Sequence, residues 1–227
     1  MRKSLFLLIL FLFFAPIQPA SANKVAFLKG KVVVVDAGHG GCDPGAIYKD
    51  IYEKHINLQI AIKLKEVLEQ TGVKVILTRH GDYHLVKESQ RRDLGKRVEL
   101  ANSSKASLFV SIHVNTHHSA SRSGAEVFYY PKSEKNKLLA ECILGQLQSI
   151  HSTSPERTVK TSDYYVLRNT GIPAAMVEVG FLSNPEDRKR LLSGDYQLLL
   201  ARRISCGILK YLIVESSSSN KTPRAKK

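Results

Sequence analysis

Short apolar runs alternate along the chain with longer segments in which apolar residues recur every three or four positions. Residues 31–36 contain four consecutive valines, which is typical of a strand buried on both faces. In residues 53–70, Ile56, Ile60 and Leu64 share one helix face. By these criteria strands are predicted at 31–36, 73–78, 108–113, 125–130, 164–167 and 174–179, and helices at 53–70, 88–101, 133–150 and 195–214. This order predicts an α/β fold: a single domain with a mostly parallel twisted sheet of about six strands and helices on both faces.

The first 22 residues follow a different pattern. Basic Arg2 and Lys3 precede a nearly unbroken apolar run from Leu5 to Ile17, and small residues lead up to Ala22. This pattern is typical of a secretory signal peptide, and the run is shorter than the roughly 20 residues that a membrane span requires. We therefore predict that residues 1–22 are a signal peptide and that the chain is exported to the periplasm or the extracellular space. The alternative is an anchor that is retained.

The charge balance is strongly basic, with 34 Lys and Arg against 20 Asp and Glu. Residues 1–22 hold two basic and no acidic residues, so the mature chain carries a formal charge of +12. For an exported protein this favours an anionic envelope surface over nucleic acid as the partner. Residues 23–214 are predicted to fold, whereas the serine-rich and basic residues 215–227 are predicted to be a disordered tail. This tail is either a solvated chain end or an electrostatic tether to the anionic surface. Three cysteines are too few for a disulfide framework.

Side chains that can bind metal or transfer protons follow three predicted strands. His39 lies in a glycine-rich loop after the first strand, His113 ends the third, and Glu178 lies near the end of the last. Glu53 opens the first helix. Ligands of open α/β sheets bind beyond the carboxyl ends of the strands, so these side chains are expected to converge. Two histidines and one glutamate form a ligand set typical of catalytic zinc, and the residues alone leave open which glutamate is the ligand.

Other ligand and nucleophile patterns are weaker. Cys42, three residues after His39, is an alternative fourth ligand, which would make the site structural rather than catalytic. The spacing of His113 and His117 resembles a helical zinc pair, but Val114 follows the first histidine and the following stretch is a polar loop. The sequence has no Gly-x-Ser-x-Gly motif for a serine nucleophile. Zinc hydrolysis is therefore the favoured chemistry.

Three segments resemble the zinc-dependent N-acetylmuramoyl-L-alanine amidases, the catalytic domains of bacterial cell-wall amidases. They are VVVDAGHGGCDPGA at 33–46, FVSIHVN at 109–115 and VEVGFLSNP at 177–185. The resemblance extends from residue 31 to about residue 214. It implies that His39, Glu53 and His113 bind one Zn²⁺ per chain and that Glu178 is the catalytic carboxylate. Asn115 and Arg168, which lie in matching segments, are candidate substrate contacts.

The same resemblance implies hydrolysis of the amide bond between N-acetylmuramic acid and L-alanine, with peptidoglycan or muropeptides as substrate. The chain is expected to be a monomer, and the need for an activating partner is left open. One alternative is a zinc carboxypeptidase or endopeptidase that cuts elsewhere in the stem peptide. A second is a non-enzymatic basic module that binds the wall. That module would account for the charge but not for the glycine-rich His39 loop or the strand-end Glu178.

Overall fold

A computed structural model describes residues 28–150 and 157–219. The predicted signal peptide and the last eight residues of the predicted tail lie outside the described residues. Within the two described ranges, no helix combines the length and the apolar character that crossing a membrane requires.

Six strands form one sheet, and two short strands form a separate hairpin. In chain order the strands are β1 (Val32–Ala37), β2 (Ile47–Tyr48), β3 (Ile51–Tyr52), β4 (Lys74–Leu77), β5 (Leu108–Asn115), β6 (Glu126–Tyr129), β7 (Lys160–Thr161) and β8 (Ala174–Phe181). The large sheet has the order β4-β1-β5-β8-β6-β7, and β2 pairs with β3. Strands β4, β1, β5 and β8 are parallel, whereas β6 runs antiparallel to β8. The prediction of a mostly parallel six-stranded sheet is confirmed.

Helices cover both faces of this sheet. They are α1 (Glu53–Glu69), α2 (Gln90–Ser103), α3 (Glu134–Gln148), α4 (Tyr165–Asn169), α5 (Pro185–Leu191) and α6 (Gly194–Ser219). Successive side chains of a strand point to opposite faces, so Val33 and Val35 of β1 enter one core and Val34 enters the other. The first core packs beneath α1, α3 and α6, and the second beneath α2 and α4. This arrangement leaves the carboxyl ends of the parallel strands at one edge of the sheet.

The prediction of a strand at 164–167 is wrong. Residues Tyr165–Asn169 form the short helix α4, and the edge strand β7 lies earlier, at Lys160–Thr161. Val166 and Leu167 are adjacent in sequence, yet both are buried in the same core. A strand would send two adjacent side chains to opposite faces, so burying both on one side requires the helical turn.

The predicted disordered tail also begins too early, because α6 continues through Ser219. The hydroxyl groups of Ser216 and Ser217 both donate to the carbonyl oxygen of Ile213, which keeps them within the helical turn. Glu215 forms an ion pair with Lys135 of α3 at 2.8 Å. Residues 215–219 therefore belong to the folded domain.

Candidate metal centre

The side chains predicted to converge do so at the carboxyl end of the sheet. Ligand atoms of His39, Glu53 and His113 all lie within 4.8 Å of one another. His39 follows β1, Glu53 is the first residue of α1, and His113 belongs to β5. In the register of β5 and β8, His113 is the direct neighbour of Glu178. All four side chains line one cleft of about 350 Å³.

Glu53 stands between the two imidazoles. Its Oε1 lies 3.3 Å from Nε2 of His39 and 3.0 Å from Nδ1 of His113. The same oxygen accepts hydrogen bonds from the Val114 backbone amide and from Asn57 Nδ2, while Oε2 accepts from the Ala46 amide. Although burial raises the pKa of Glu53, hydrogen bonds from the two histidines hold it well below its usual range. Glu53 is therefore a fixed negative charge.

His39 is held in one orientation by a second carboxylate. Its Nδ1 donates to Asp43 Oδ2 at 2.8 Å, which directs Nε2 toward Glu53. Burial lowers the pKa of His39, but hydrogen bonds and charge from Glu53 and Asp43 raise it to about 9. The surroundings thus stabilise positive charge at this point, which either a proton or a metal cation can supply. A carboxylate bound to the outer nitrogen of a histidine is the usual support of a metal ligand.

The loop that carries His39 has a backbone fixed by close contacts. His39 adopts a φ of 62°, a left-handed conformation that is uncommon for residues other than glycine. A Cβ added to Gly38 would lie 2.2 Å from the His113 ring, so only glycine fits beside this histidine. The carbonyl oxygen of His39 accepts a hydrogen bond from Arg97 Nη2 at 2.8 Å.

Arg97 belongs to a buried ionic network beneath the site. Its guanidinium pairs with Asp36 at 2.7 Å and with Asp93 at 2.8 Å, and it also donates to the carbonyl of Ala37. Asp36 accepts further hydrogen bonds from the hydroxyls of Thr78 and Ser111. Burial raises the pKa of Asp36, but the charge of Arg97 and the hydrogen bonds from Ser111 and Thr78 lower it below its usual range. In the sequence this network is indicated only by a charged residue, Asp36, directly after a run of valines.

Glu178 is the fourth member of the cleft, and its environment differs from that of Glu53. It is 7% exposed, and among the described residues its Oε2 is buried with no hydrogen-bond partner. Burial raises its pKa to about 7, with the charges of His113 and His39 opposing this shift and that of Glu53 adding to it. A carboxyl group with this pKa can both accept and release a proton near neutral pH.

The remaining candidates are distributed unevenly. Asn115 lines the cleft, whereas Arg168 does not and instead pairs with Asp163 at 2.6 Å. Cys42 is exposed and is not a member of the group formed by His39, Glu53 and His113; its backbone amide donates to the ring of His84. His117 is likewise outside that group, and its Nδ1 accepts from the Ser119 amide. The site therefore holds two histidines and two glutamates, and the pKa values of the glutamates are shifted in opposite directions: that of Glu53 is lowered and that of Glu178 is raised.

Comparison with known proteins identifies the family of this chain. The family model described as N-acetylmuramoyl-L-alanine amidase matches residues 33–210. The germination-specific N-acetylmuramoyl-L-alanine amidase of Bacillus subtilis is 38% identical over 191 residues, which cover 81% of each chain. The CwlD amidase of Clostridioides difficile, solved in complex with the GerS lipoprotein, superposes with a TM-score of 0.77 at 40% identity. That match covers 81% of this chain and 99% of the other.

A second solved structure agrees. The catalytic domain of CwlV, an N-acetylmuramoyl-L-alanine amidase from Bacillus (Paenibacillus) polymyxa var. colistinus, superposes with a TM-score of 0.73 at 36% identity. It is matched over 99% of its length by 81% of this chain. On the family match and these relatives, the chain belongs to the N-acetylmuramoyl-L-alanine amidase family.

Proposed function

We propose that this chain hydrolyses the amide bond between the lactyl group of N-acetylmuramic acid and the L-alanine of the stem peptide in peptidoglycan. The observation that carries the proposal is a single cleft in which the His39, Glu53 and His113 group lies beside the buried Glu178. Family membership supports the choice of bond, because zinc hydrolysis of an amide does not by itself select it.

The residues present fit one Zn²⁺ per chain, held by His39, Glu53 and His113. Two imidazoles and one carboxylate suit zinc better than magnesium or calcium, which prefer oxygen ligands. The carboxylates of Glu53 and Asp43 beside the two imidazoles supply negative charge that a bound cation requires. When bound, zinc acts as a Lewis acid that polarises the scissile carbonyl and lowers the pKa of a water molecule toward about 7.

Glu178 acts as general base and then as general acid. Its carboxylate accepts the proton of the attacking water, and its carboxylic acid then donates that proton to the departing amine of L-alanine. A pKa of about 7 suits both steps. Asp43 holds the His39 ring in place, and Asn57 holds Glu53 through Oε1. Tyr164 and Met176 line the same cleft.

Relatives of this chain include proteins named as cell wall amidases, and a cell wall lies outside the cytoplasm. This supports export of the chain by the signal peptide predicted at residues 1–22. The formal charge supports attachment to an anionic envelope surface, with the basic residues 220–227 contributing. We further propose that the chain acts as a monomer, which sedimentation of the exported form would test.

The experiment is digestion of purified peptidoglycan with zinc-loaded protein, followed by mass spectrometry of the products. We expect intact stem peptides with a free L-alanine amino group, together with glycan that has lost them. The matched control is Glu178→Gln, which should release no stem peptides and should leave the glycan with its peptides attached. Release of single terminal amino acids, or cuts within the stem peptide, would instead identify a carboxypeptidase or an endopeptidase.

A further inference from the structure

Three cations surround one buried carboxylate next to the cleft. Glu126 is 4% exposed, and its Oε1 accepts from Lys160 Nζ at 2.8 Å, Arg122 Nη2 at 2.9 Å and Arg157 Nη1 at 3.3 Å. Arg157 also donates to the backbone carbonyls of residues 123–125. We call Glu126 with Arg122, Arg157 and Lys160 the Glu126 cluster.

The Glu126 cluster carries an excess of positive charge. Burial raises the pKa of Glu126, but hydrogen bonds from Lys160 and Arg122 hold it below its usual range, so the carboxylate is ionised at neutral pH. One negative and three positive side chains leave a formal charge of +2. The side chains of Arg122 and Lys160 are 41% and 38% exposed, so solvent and solutes reach them. Each has more N–H donors than the single bond to Glu126 uses.

The register of the sheet places the Glu126 cluster beside the cleft. Glu126 is the direct neighbour of Glu178, and Phe128 is the neighbour of both Met176 and Lys160. Directly paired residues of neighbouring strands point to the same face of a sheet, and Glu178 and Met176 line the cleft. Asn115, which also lines the cleft, places its Nδ2 3.5 Å from Glu126 Oε2.

We propose that the Glu126 cluster binds a free carboxylate of the stem peptide while the scissile amide lies beside Glu178. This inference rests on the proposed function. In a muramoyl peptide the lactyl carboxyl is consumed in the scissile amide, so every free carboxylate lies on the peptide. A guanidinium and an ammonium group recognise a carboxylate through charge-assisted hydrogen bonds. The stem peptide therefore runs from the cleft toward β6 and β7, on the side of Arg122 and Lys160.

The test compares two muramoyl peptides that differ only in whether their carboxyl groups are free or converted to carboxamides. We expect wild-type protein to cleave the free acid with a kcat/KM about tenfold higher, the size of one charge-assisted hydrogen bond. Arg122→Gln and Lys160→Gln should each reduce this ratio. The matched controls Arg202→Gln and Lys210→Gln, at exposed positions of α6, should leave it unchanged. Equal kcat/KM for the two peptides in wild-type protein would overturn the inference.

Two further measurements distinguish a carboxylate subsite from a cluster that serves only the stability of the fold. If the cations served only to neutralise Glu126, the Glu126→Gln variant would show no preference for the free-acid peptide. If the cations form a subsite, this variant would keep or increase the preference, because the cations lose their internal partner.

Binding of both peptides to the Glu178→Gln variant, measured by calorimetry, tests the Glu126 cluster without turnover. Tighter binding of the free acid with cleavage at another bond would support the subsite and refute the proposed function. Equal binding would refute the subsite.

Discussion

Replacing Glu178 by glutamine removes a buried titratable group while nearly conserving its shape. Burial raises the pKa of this carboxyl group from 4.5 to about 7. Since one pKa unit corresponds to about 1.36 kcal/mol, the ionised group costs the folded, metal-free protein about 3 kcal/mol. The folded state holds the proton more tightly than the unfolded state. The cost is therefore absent below pH 4.5, grows between pH 4.5 and 7, and is complete above pH 7.

Glutamine does not ionise, so the Glu178→Gln variant has no cost of burying a charged carboxylate at any pH. We expect the free energy of unfolding of Glu178→Gln, relative to wild type, to increase by about 2–3 kcal/mol between about pH 5 and pH 8. Urea denaturation of both proteins with a chelator present measures this difference, because the other titratable groups are common to both. Glu99→Gln, at an exposed position of α2, is the matched control and should show no such trend. Parallel pH curves for Glu178→Gln and wild type would refute the reasoning.

The same variant separates proton transfer from metal binding. Glu178→Gln should keep zinc and lose about 10²- to 10⁴-fold in the rate of muropeptide hydrolysis, the usual size of general acid–base catalysis. Glu53→Gln should instead lose zinc first, because Glu53 contacts both histidines. Its activity should recover in part when zinc is added. Rescue of Glu178→Gln by zinc, or its purification without metal, would show that the two glutamates have the opposite roles.

Further predictions concern the ligands, the buried network and the tail. His39→Ala and His113→Ala should each lose zinc by elemental analysis, whereas Cys42→Ser should keep it; full zinc content in both histidine variants would refute this ligand set. Arg97→Ala should lower the free energy of unfolding by about 3–5 kcal/mol in urea titrations, because it leaves buried carboxylates unpaired, and a loss under about 1 kcal/mol would contradict this. Deleting residues 220–227, or raising the salt concentration, should weaken binding to wall sacculi without changing turnover of soluble muropeptides, and salt-independent binding would argue against an electrostatic tether.

The convergence of the site could be predicted because it follows from topology. The carboxyl ends of parallel strands share one edge of a sheet, so His39, His113 and Glu178 had to approach one another once three strands were recognised. The residues alone did not indicate which of Glu53 and Glu178 binds the metal and which transfers the proton. What distinguishes the two carboxylates is their partners: Glu53 accepts from both histidines, whereas the described residues offer Oε2 of Glu178 no donor.

Other features depended on pairings that a single sequence does not reveal. Asp36 and Arg97 are 61 positions apart, and nothing local indicates that the one neutralises the other. The segment 164–167 has β-type composition, yet packing both Val166 and Leu167 against one face made it helical. In each case long-range packing, rather than local propensity, decided the outcome.

The contact of Glu53 with both histidines joins three parts of the chain that are distant in sequence. The loop after β1, the start of α1 and β5 meet at one carboxylate oxygen, so the site exists only after the central strands have assembled. This contact acts as a non-covalent cross-link, and its topological effect is comparable to that of a disulfide bridge. The cysteines of the described residues are all free, so no disulfide bridge is formed among them. A cation bound there stabilises the native state by mass action, by about 4 kcal/mol at a thousandfold excess over its dissociation constant. The concentration of available metal would then determine how long the folded chain resists proteases, as well as its activity.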